Sequence, residues 1–299
     1  MRILLSGASG LIGSALKPYL AREGLEVVLL KRTALKVGRM QPSWDPVAGR
    51  IALPGAGPLD AVIHLSGETI AQRWTAAAKD RIRHSRVAGT RLLCEALIRL
   101  PKPPGILICA SATGYYGSRG EELLDEQSAP GCDFLAEVCR DWEAATHSTA
   151  EYGIRVVNLR LGIVLAAQGG ALKKMLPAFR LGLGGRMGQG RQYWSWIAMD
   201  DLLAIIRRLL HDEALHGPVN AVSPHPVTNE DFTRILGKVL HRPAFFTMPA
   251  AVVKLLFGEM GEAALLASCR VRPARLEQCG FAFQFPELAG ALRHRLGKT

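Results

Sequence analysis

The sequence lacks the features that mark several common classes of protein. Its six cysteines include no CxxC pair, and zinc sites usually need closely spaced ligand pairs. No apolar run approaches the roughly 18 uninterrupted residues of a membrane-spanning helix. The apolar start, Met1 to Leu5, is broken by Ser6-Gly7 too early for the apolar core of a signal peptide. We therefore expect reduced cysteines, no bound metal, no membrane partner and a cytoplasmic location.

Aromatic residues are also few, at 6% of 299 residues, although the formal net charge is +11. A basic surface can bind nucleic acid, but the positive residues are spread along the chain. No basic segment carries the interleaved aromatics of a single-strand binder. Phosphates on a cofactor or substrate explain part of the excess, and a solvated basic surface explains the rest. The sequence therefore favours a small-molecule substrate and no nucleic acid.

The first half of the chain alternates apolar strands with helical segments. Strands are predicted at 2–6, 26–30, 61–65, 106–110 and 155–160, and helices at 15–22, 75–99 and 134–149. This alternation is typical of the α/β class with a doubly wound parallel sheet.

The pattern changes after Gly162, where glycine-rich loops precede a short strand predicted at 194–199 and a helix at 200–211. From about Val227 the chain is mostly helical. We predict a dinucleotide-binding Rossmann domain at 1–165, rejoined by about 192–222. A small, mostly helical C-terminal substrate lobe is predicted at 166–191 and 223–299.

A glycine-rich loop lies between the first predicted strand and helix. Gly7 allows a tight turn, Gly10 lets the backbone approach a pyrophosphate, and Gly13 lets the helix pack closely on the strand. The free N–H groups and positive dipole end of the helix then face the phosphates. A glycine turn without a ligand is the alternative. The residues expected to bind the cofactor here are Gly7, Ser9, Gly10, Leu11, Ile12 and Gly13.

The second strand ends in Lys31-Arg32. NAD sites usually place Asp or Glu there to bind the ribose hydroxyls. Arginine can instead bind a 2′-phosphate with two parallel hydrogen bonds. The pair therefore predicts NADP(H) as the cofactor, with an ordinary surface pair as the alternative.

Several longer segments resemble a known family. The glycine loop, together with Val-Ala-Gly-Thr-Arg-Leu-Leu at 87–93, resembles the extended short-chain dehydrogenase/reductase superfamily. Segments 111–117, 192–197 and 252–283 are similar to its atypical nucleoside-diphosphate-sugar epimerase-like branch. The last of these resembles the C-terminal domain of unknown function in that branch. The resemblance implies a Rossmann sheet with a small C-terminal lobe closing over the cofactor.

The resemblance also implies cofactor contacts beyond the glycine loop. For the two arginines among them an internal salt bridge is the alternative, and Glu68 is the partner expected for the first. The implied contacts are Leu65, Ser66, Gly67, Arg86 and Arg160.

The usual catalytic pair of the superfamily is missing. Ordinary members use Tyr-x-x-x-Lys, whose lysine lowers the tyrosine pKa for proton transfer. No tyrosine in this chain has a lysine four residues later, and the corresponding helix offers Phe134 and Val138. Ser111, at a strand end, could polarise a substrate carbonyl, and Tyr115 could act as an acid. Ala112 and Thr113 are alternatives for the first position and Tyr116 for the second.

Two functional hypotheses therefore stay open. The first is an NADP(H)-dependent, epimerase-like oxidoreductase acting on a carbonyl compound or a sugar nucleotide. The second is an NADP(H)-binding sensor or regulatory protein with little or no turnover. The missing pair favours the second, and the pocket-forming C-terminal lobe favours the first.

Overall fold

The structure is a computed structural model that describes residues 1–33 and 40–298. The strands are β1 (Arg2–Ser6), β2 (Glu26–Arg32), β3 (Ser43–Asp45), β4 (Arg50–Ala52), β5 (Ala61–His64), β6 (Ile106–Ala112), β7 (Leu123–Leu124), β8 (Arg155–Leu161), β9 (Ile163–Leu165), β10 (Gly185–Met187), β11 (Tyr193–Trp194), β12 (Trp196–Ala198), β13 (Gly217–Ala221), β14 (Val227–Thr228), β15 (Phe246–Met248) and β16 (Arg270–Val271). The α-helices are α1 (Leu11–Arg22), α2 (Ala76–Ile98), α3 (Phe134–Ala144), α4 (Gly170–Arg180), α5 (Met199–His211), α6 (Asn229–Leu240), α7 (Ala250–Met260), α8 (Ala274–Gln278) and α9 (Leu288–Leu296).

The main sheet contains eight strands in the order β13-β8-β6-β5-β1-β2-β3-β4. Neighbouring strands are parallel except for the antiparallel pair of β3 and β4. The strand order reverses at β1, because β2 lies on one side of it and β5 on the other. The predicted doubly wound α/β fold is confirmed. In such sheets ligands bind at the carboxyl edge beside the reversal point.

Helices cover both faces of this sheet. Leu16 and Leu20 of α1 join apolar residues of α5 on one face. Leu93 and Leu97 of α2, with Trp142 of α3, cover the other. Strands buried on both faces explain why the predicted strands are continuous apolar runs and do not alternate with polar residues.

Several elements differ from the sequence prediction, and three of them have a clear physical reason. β13 was not predicted because it contains glycine and proline, which a sheet tolerates at an edge strand such as this one. The predicted helix 134–149 ends at Ala144, where Thr146 and Thr149 bond back to main-chain oxygens and the chain continues as a 3₁₀ turn. α4 was also missed, because a glycine begins it and Pro177 lies inside it.

The C-terminal region is largely helical, as expected. α6 and α9 pack with α4 around a separate apolar cluster that includes Leu176, Phe232 and Leu292. Within the described ranges, no helix combines the length and apolar character needed to cross a bilayer. The division of the chain into two domains stays a prediction.

Candidate functional site

The glycine-rich loop joins β1 to α1 at the carboxyl edge of the sheet. Gly7 has a φ of +73°, and a Cβ there would lie 2.7 Å from the carbonyl carbon of Leu65. A Cβ on Gly13 would collide with the carbonyl oxygen of Gly7. Because no larger residue tolerates these approaches, the tight loop requires glycine at both positions.

The first turn of α1 has the chemistry of an anion site. Its N-cap is Gly10, no side chain caps its first N–H groups, and its first turn contains no acidic residue. Ser9 and Gly10 are exposed, and Leu11 and Ile12 beside them are half-buried. Uncapped N–H groups and the helix dipole favour a bound phosphate. The cradle that a Cβ would fill therefore fits a dinucleotide.

The neighbouring strand end meets this loop. Leu65, Ser66 and Gly67 follow β5, and the Leu65 N–H donates to the Ser6 Oγ at 3.2 Å. A Cβ on Gly67 would lie 3.3 Å from the guanidinium carbon of Arg86. The structure therefore brings Arg86 and Leu65–Gly67 together beside the glycine loop, although they lie far apart in sequence.

Arg86 reaches this edge from α2. Its Nη1 donates to the main-chain oxygens of Glu68 at 2.9 Å and Ile82 at 3.2 Å. Its guanidinium lies 5.1 Å from the centre of the Trp142 ring, and burial lowers its pKa. The salt bridge with Glu68, which the sequence left as the alternative for Arg86, is not formed, because the contact is to the Glu68 carbonyl oxygen. Across the described residues Arg86 forms no salt bridge, so its charge is not neutralised by a carboxylate.

Lys31 and Arg32 end β2 on the other side of β1, and both are exposed. The Lys31 Nζ donates to the Gln41 Oε1 at 3.2 Å. Arg32 lies opposite Trp44 of β3 and forms no salt bridge within the described ranges. Two positive charges thus stand at the strand end where a 2′-phosphate would be recognised.

A polar row crosses three strands at the carboxyl edge. Ser111 of β6, Arg160 of β8 and Asn220 of β13 are register partners. Side chains in register on neighbouring strands project from the same face. The register therefore places three polar side chains side by side at this edge of the sheet.

Glu143 of α3 covers this row. Its carboxylate accepts from the Ser111 Oγ at 2.6 Å and from the Arg160 Nε and Nη2 at 2.8 Å each. The Arg160 Nη1 donates to the Tyr116 hydroxyl at 2.9 Å, which donates to the Asn220 Oδ1 at 2.7 Å. All five side chains are buried. The row is a connected network, as buried polar groups require.

Charge and burial compete in this network. Burial alone would lower the pKa of Arg160, but the hydrogen bonds and charge of Glu143 outweigh it and raise that pKa. Burial raises the pKa of Tyr116. Both groups therefore hold their protons at neutral pH, and Arg160 stays cationic.

This geometry bears on two sequence-predicted roles. Arg160 was expected at the cofactor, but the residue is only 2% exposed and its guanidinium is occupied by Glu143 and Tyr116. The internal salt bridge, which the sequence left as the alternative, is the arrangement observed. Ser111 is only 1% exposed, and its hydroxyl proton points to Glu143. In this structure both Ser111 and Arg160 are hydrogen bonded to Glu143, and their predicted roles toward substrate and cofactor stay predictions.

Tyr115 is the more accessible of the two tyrosines. It is half-buried, and the Arg160 guanidinium carbon lies 3.5 Å from the centre of its ring. Its ring also meets Tyr116 edge-on, with centroids 5.4 Å apart. No described residue is hydrogen bonded to its hydroxyl, which remains able to donate a proton to another molecule.

The helix expected to carry the catalytic pair has an apolar beginning. Phe134 starts α3, and Val138 one turn later is buried. The Lys79 Nζ lies 4.8 Å from the centre of the Phe134 ring, and Glu259 of α7 binds this ammonium group at 2.6 Å. A lysine therefore does approach this position, but from α2 and already paired with the C-terminal region.

Glu143 is the main site residue that the sequence analysis missed. Its position carried a signal, because α3 buries Val138, Cys139 and Trp142 on one face and Glu143 lies on that face. A glutamate on the apolar face of an amphipathic helix needs a cationic partner.

Comparison with known proteins agrees with this geometry. The profile of the NAD dependent epimerase/dehydratase family matches residues 3–221, and that of a domain of unknown function, DUF1731, matches residues 248–294. An epimerase family protein of Mycobacterium bovis is 39% identical over 291 residues, covering 97% of this chain and 96% of the relative. The human epimerase family protein SDR39U1 is 37% identical, covering 98% of this chain and 99% of the relative.

Solved structures of epimerase family proteins are also similar to this chain. The crystal structure of human SDR39U1 (isoform 2) with NADPH matches with a TM-score of 0.90 at 35% identity, over 100% of both chains. A UDP-glucose 4-epimerase of Thermus thermophilus in complex with NAD has a TM-score of 0.74 at 19% identity and shares the fold. The chain therefore belongs to the NAD-dependent epimerase/dehydratase family, with a C-terminal region that matches DUF1731.

Proposed function

We propose that this protein is an NADP(H)-dependent oxidoreductase that acts on a carbonyl compound or a sugar nucleotide. The carrying observation is the glycine cradle at the strand reversal, where Gly7 and Gly13 exclude side chains beside the open N-terminus of α1. NADPH in the crystal structure of the human relative supports the same reading. The proposal covers the cofactor and the reaction class.

Different residues of this chain bind different parts of the dinucleotide. The glycine loop receives the pyrophosphate, with Leu65, Ser66, Gly67 and Arg86 bordering the rest of the dinucleotide. Lys31 and Arg32 select the 2′-phosphate, because arginine binds it bidentately whereas an acidic residue would repel it. The exposure of both side chains at the end of β2 supports this assignment.

Tyr115 is the proposed proton donor. A bound nicotinamide supplies the hydride donor or acceptor, and reduction of a carbonyl also requires a proton at its oxygen. The Tyr115 hydroxyl is half-buried and bonded to none of the described residues, whereas Ser111 and Tyr116 are committed to Glu143 and Asn220. Glu143, which is bonded to Ser111, holds the Arg160 guanidinium against the Tyr115 ring and so positions that ring.

One specific observation favours a second function, an NADP(H)-binding sensor. Ser111 is buried, and its hydroxyl donates a hydrogen bond to Glu143. The helix that usually carries Tyr-x-x-x-Lys presents Phe134 and Val138 instead. A protein with this arrangement would bind the dinucleotide and transfer no hydride. Its bound state would then serve to control a partner.

Turnover with a matched pair of variants separates the two. Purified protein is loaded with NADPH and offered a panel of carbonyl compounds and sugar nucleotides, while the nicotinamide absorbance band is followed. For an oxidoreductase, Tyr115→Phe lowers kcat by about 100-fold or more, as loss of a general acid does, with NADPH affinity unchanged. Tyr152→Phe, at a tyrosine that is 54% exposed, is the control and keeps full activity.

Three results decide the matter. Turnover that survives in Tyr115→Phe removes the proposed role of Tyr115. Bound NADPH that no member of the panel oxidises supports the sensor. Failure to bind any dinucleotide overturns both functions.

A further inference from the structure

One face of α6 carries a stripe of positive charge. Arg234, Lys238 and His241 are spaced four and three residues apart, so they lie on one side of the helix, and all three are exposed. Like charges at this spacing destabilise a helix by about 0.2–0.5 kcal/mol per pair. Asp231 binds Arg234 at 2.6 Å, and Lys238 forms no salt bridge with any described residue.

The chain folds back onto this stripe after α6. His241 adopts a left-handed φ of 53°, unlike any other non-glycine residue in the described ranges. Gly237 provides the space for the returning segment, because a Cβ there would lie 2.7 Å from the Ala244 Cβ. The return brings Arg242 and Phe245 beside the helix. The left-handed His241 ends α6, as is common at the C-terminus of a helix.

The returning segment and the helix border an open surface cavity of about 480 Å³. Its lining includes Arg234, Lys238, His241, Arg242 and Phe245 but no carboxylate. Drug-sized and nucleotide-sized ligands occupy cavities of about 300–1,000 Å³. None of the lining residues belongs to the cofactor cradle, so the cavity is a separate feature.

A second cavity of about 400 Å³ shares Arg242 and is lined by Arg180, Leu240, Leu296 and Lys298, again without a carboxylate. Arg242 connects the two cavities and is anchored by its Nε, which donates to the Arg180 carbonyl oxygen at 3.0 Å. The two cavities together are lined by several cationic side chains, among them Lys238, Arg242 and Arg180.

Helix ends explain only part of this charge. Cations near a helix C-terminus stabilise its negative dipole end, and Lys238 in the last turn of α6 does so. Arg234 lies one turn earlier, beyond the reach of that effect. Phe245, at the cavity rim, is uncharged and therefore cannot neutralise a helix end.

Phe245 gives the cavity a flat apolar wall. It is 74% exposed and stacks on Phe246, with ring centroids 4.8 Å apart and an angle of 26° between the planes. Exposed aromatic rings beside cations bind planar rings that carry phosphates, since a base stacks on the ring while the cations hold the phosphates. We infer that this cavity is a second ligand site, which binds a nucleotide bearing a di- or triphosphate.

Calorimetry with defined probes tests the site. The protein is first saturated with NADPH to fill the cofactor cradle, and is then titrated with ATP, inorganic triphosphate or a ten-nucleotide oligothymidylate. Lys238→Glu should weaken ATP binding about tenfold or more, since charge-assisted hydrogen bonds are lost. Phe245→Ala should weaken ATP binding about fivefold or more by removing base stacking, and should leave triphosphate binding unchanged.

The control is Lys102→Glu, the same change of charge at an exposed lysine between α2 and β6. ATP binding that is sensitive to Lys238 and Phe245 but not to Lys102 supports a free nucleotide as ligand. Binding of the oligonucleotide alone, without ATP, overturns the inference, because oligothymidylate carries no di- or triphosphate. Equal effects of Lys238→Glu and Lys102→Glu, no effect of Phe245→Ala, or no binding of any probe overturns the inference. All three variants should retain NADPH binding, which shows that they are folded.

Discussion

The carboxylate of Glu143 accepts two hydrogen bonds of 2.8 Å each from the guanidinium of Arg160. Both side chains are almost completely buried, at 10% and 3% exposure. Desolvation makes such a pair costly to form, and its loss is costlier still, because one charge then remains buried alone.

Removing Glu143 should therefore destabilise the whole fold. We expect Glu143→Ala to lower the free energy of unfolding by about 3–5 kcal/mol, the usual effect of breaking a buried pair. Urea denaturation followed by circular dichroism measures the change. The control is Glu122→Ala, which breaks the exposed pair with Arg119 and should cost under about 1 kcal/mol. Equal losses in the two variants would show that burial adds nothing to the Glu143 pair.

Gly13→Ala tests the glycine cradle. The new methyl group collides with the Gly7 carbonyl oxygen, so the loop must move away from α1. We expect a loss of about 1–3 kcal/mol in stability from overpacking and at least about tenfold weaker NADPH binding, measured by calorimetry.

Gly290→Ala is the matched control for this change. Gly290 lies inside α9, and a Cβ there would have no neighbouring atom within 4 Å, so alanine should stabilise the helix by about 0.5–1 kcal/mol. NADPH binding should not change. If Gly13→Ala binds NADPH as tightly as Gly290→Ala does, the cradle is not the cofactor site.

The glycine loop and the strand ends beside it were largely predictable from the sequence, because local patterns encode them. Gly7 and Gly13 are only six residues apart, at the junction of a strand and a helix. Lys31 lies at the end of the next strand. Parallel strands bring their carboxyl ends to one edge, so the positions of Leu65 and Ser111 at that edge also followed from the fold class.

The polar network could not be predicted, because its contacts join distant parts of the chain. Tyr116 and Asn220 are 104 residues apart, and Asn220 lies in a strand whose glycine and proline disguise it. The register of three strands decides which side chains meet, and no local pattern carries that register. The same holds for Lys79, which meets Glu259 across 180 residues.

Cofactor preference should depend on Arg32. We expect Arg32→Asp to weaken NADPH binding about 100-fold, because charge-assisted hydrogen bonds to the 2′-phosphate are replaced by repulsion. NADH binding should change much less. Calorimetric titration with both cofactors measures the ratio, and Lys102→Asp, at an exposed lysine elsewhere, is the control. Equal losses for NADPH and NADH would contradict selection of the 2′-phosphate by this residue.

The stability of the protein should fall in mild acid because of His64. This side chain is fully buried at the end of β5, its Nδ1 lies 2.6 Å from the Ser6 Oγ, and burial lowers its pKa to about 4. The unfolded chain takes up a proton near pH 6.5, so between about pH 6.5 and 4 the unfolded state binds more protons than the folded state. The stability that neutral His64 provides is complete above pH 6.5 and is lost as the pH falls towards 4, by about 3 kcal/mol in all.

Substitution isolates this contribution from the carboxylates that also titrate in acid. His64→Asn keeps an acceptor for the Ser6 hydroxyl and removes the titrating ring. The free energy of unfolding, measured in urea at pH 7.5 and pH 4.5 as roughly the two ends of that range, should therefore fall less in His64→Asn than in the native protein. His211→Asn, at an exposed histidine ending α5, should leave the native pH dependence in place. A native-like slope in His64→Asn would show that His64 does not cause the loss of stability in acid.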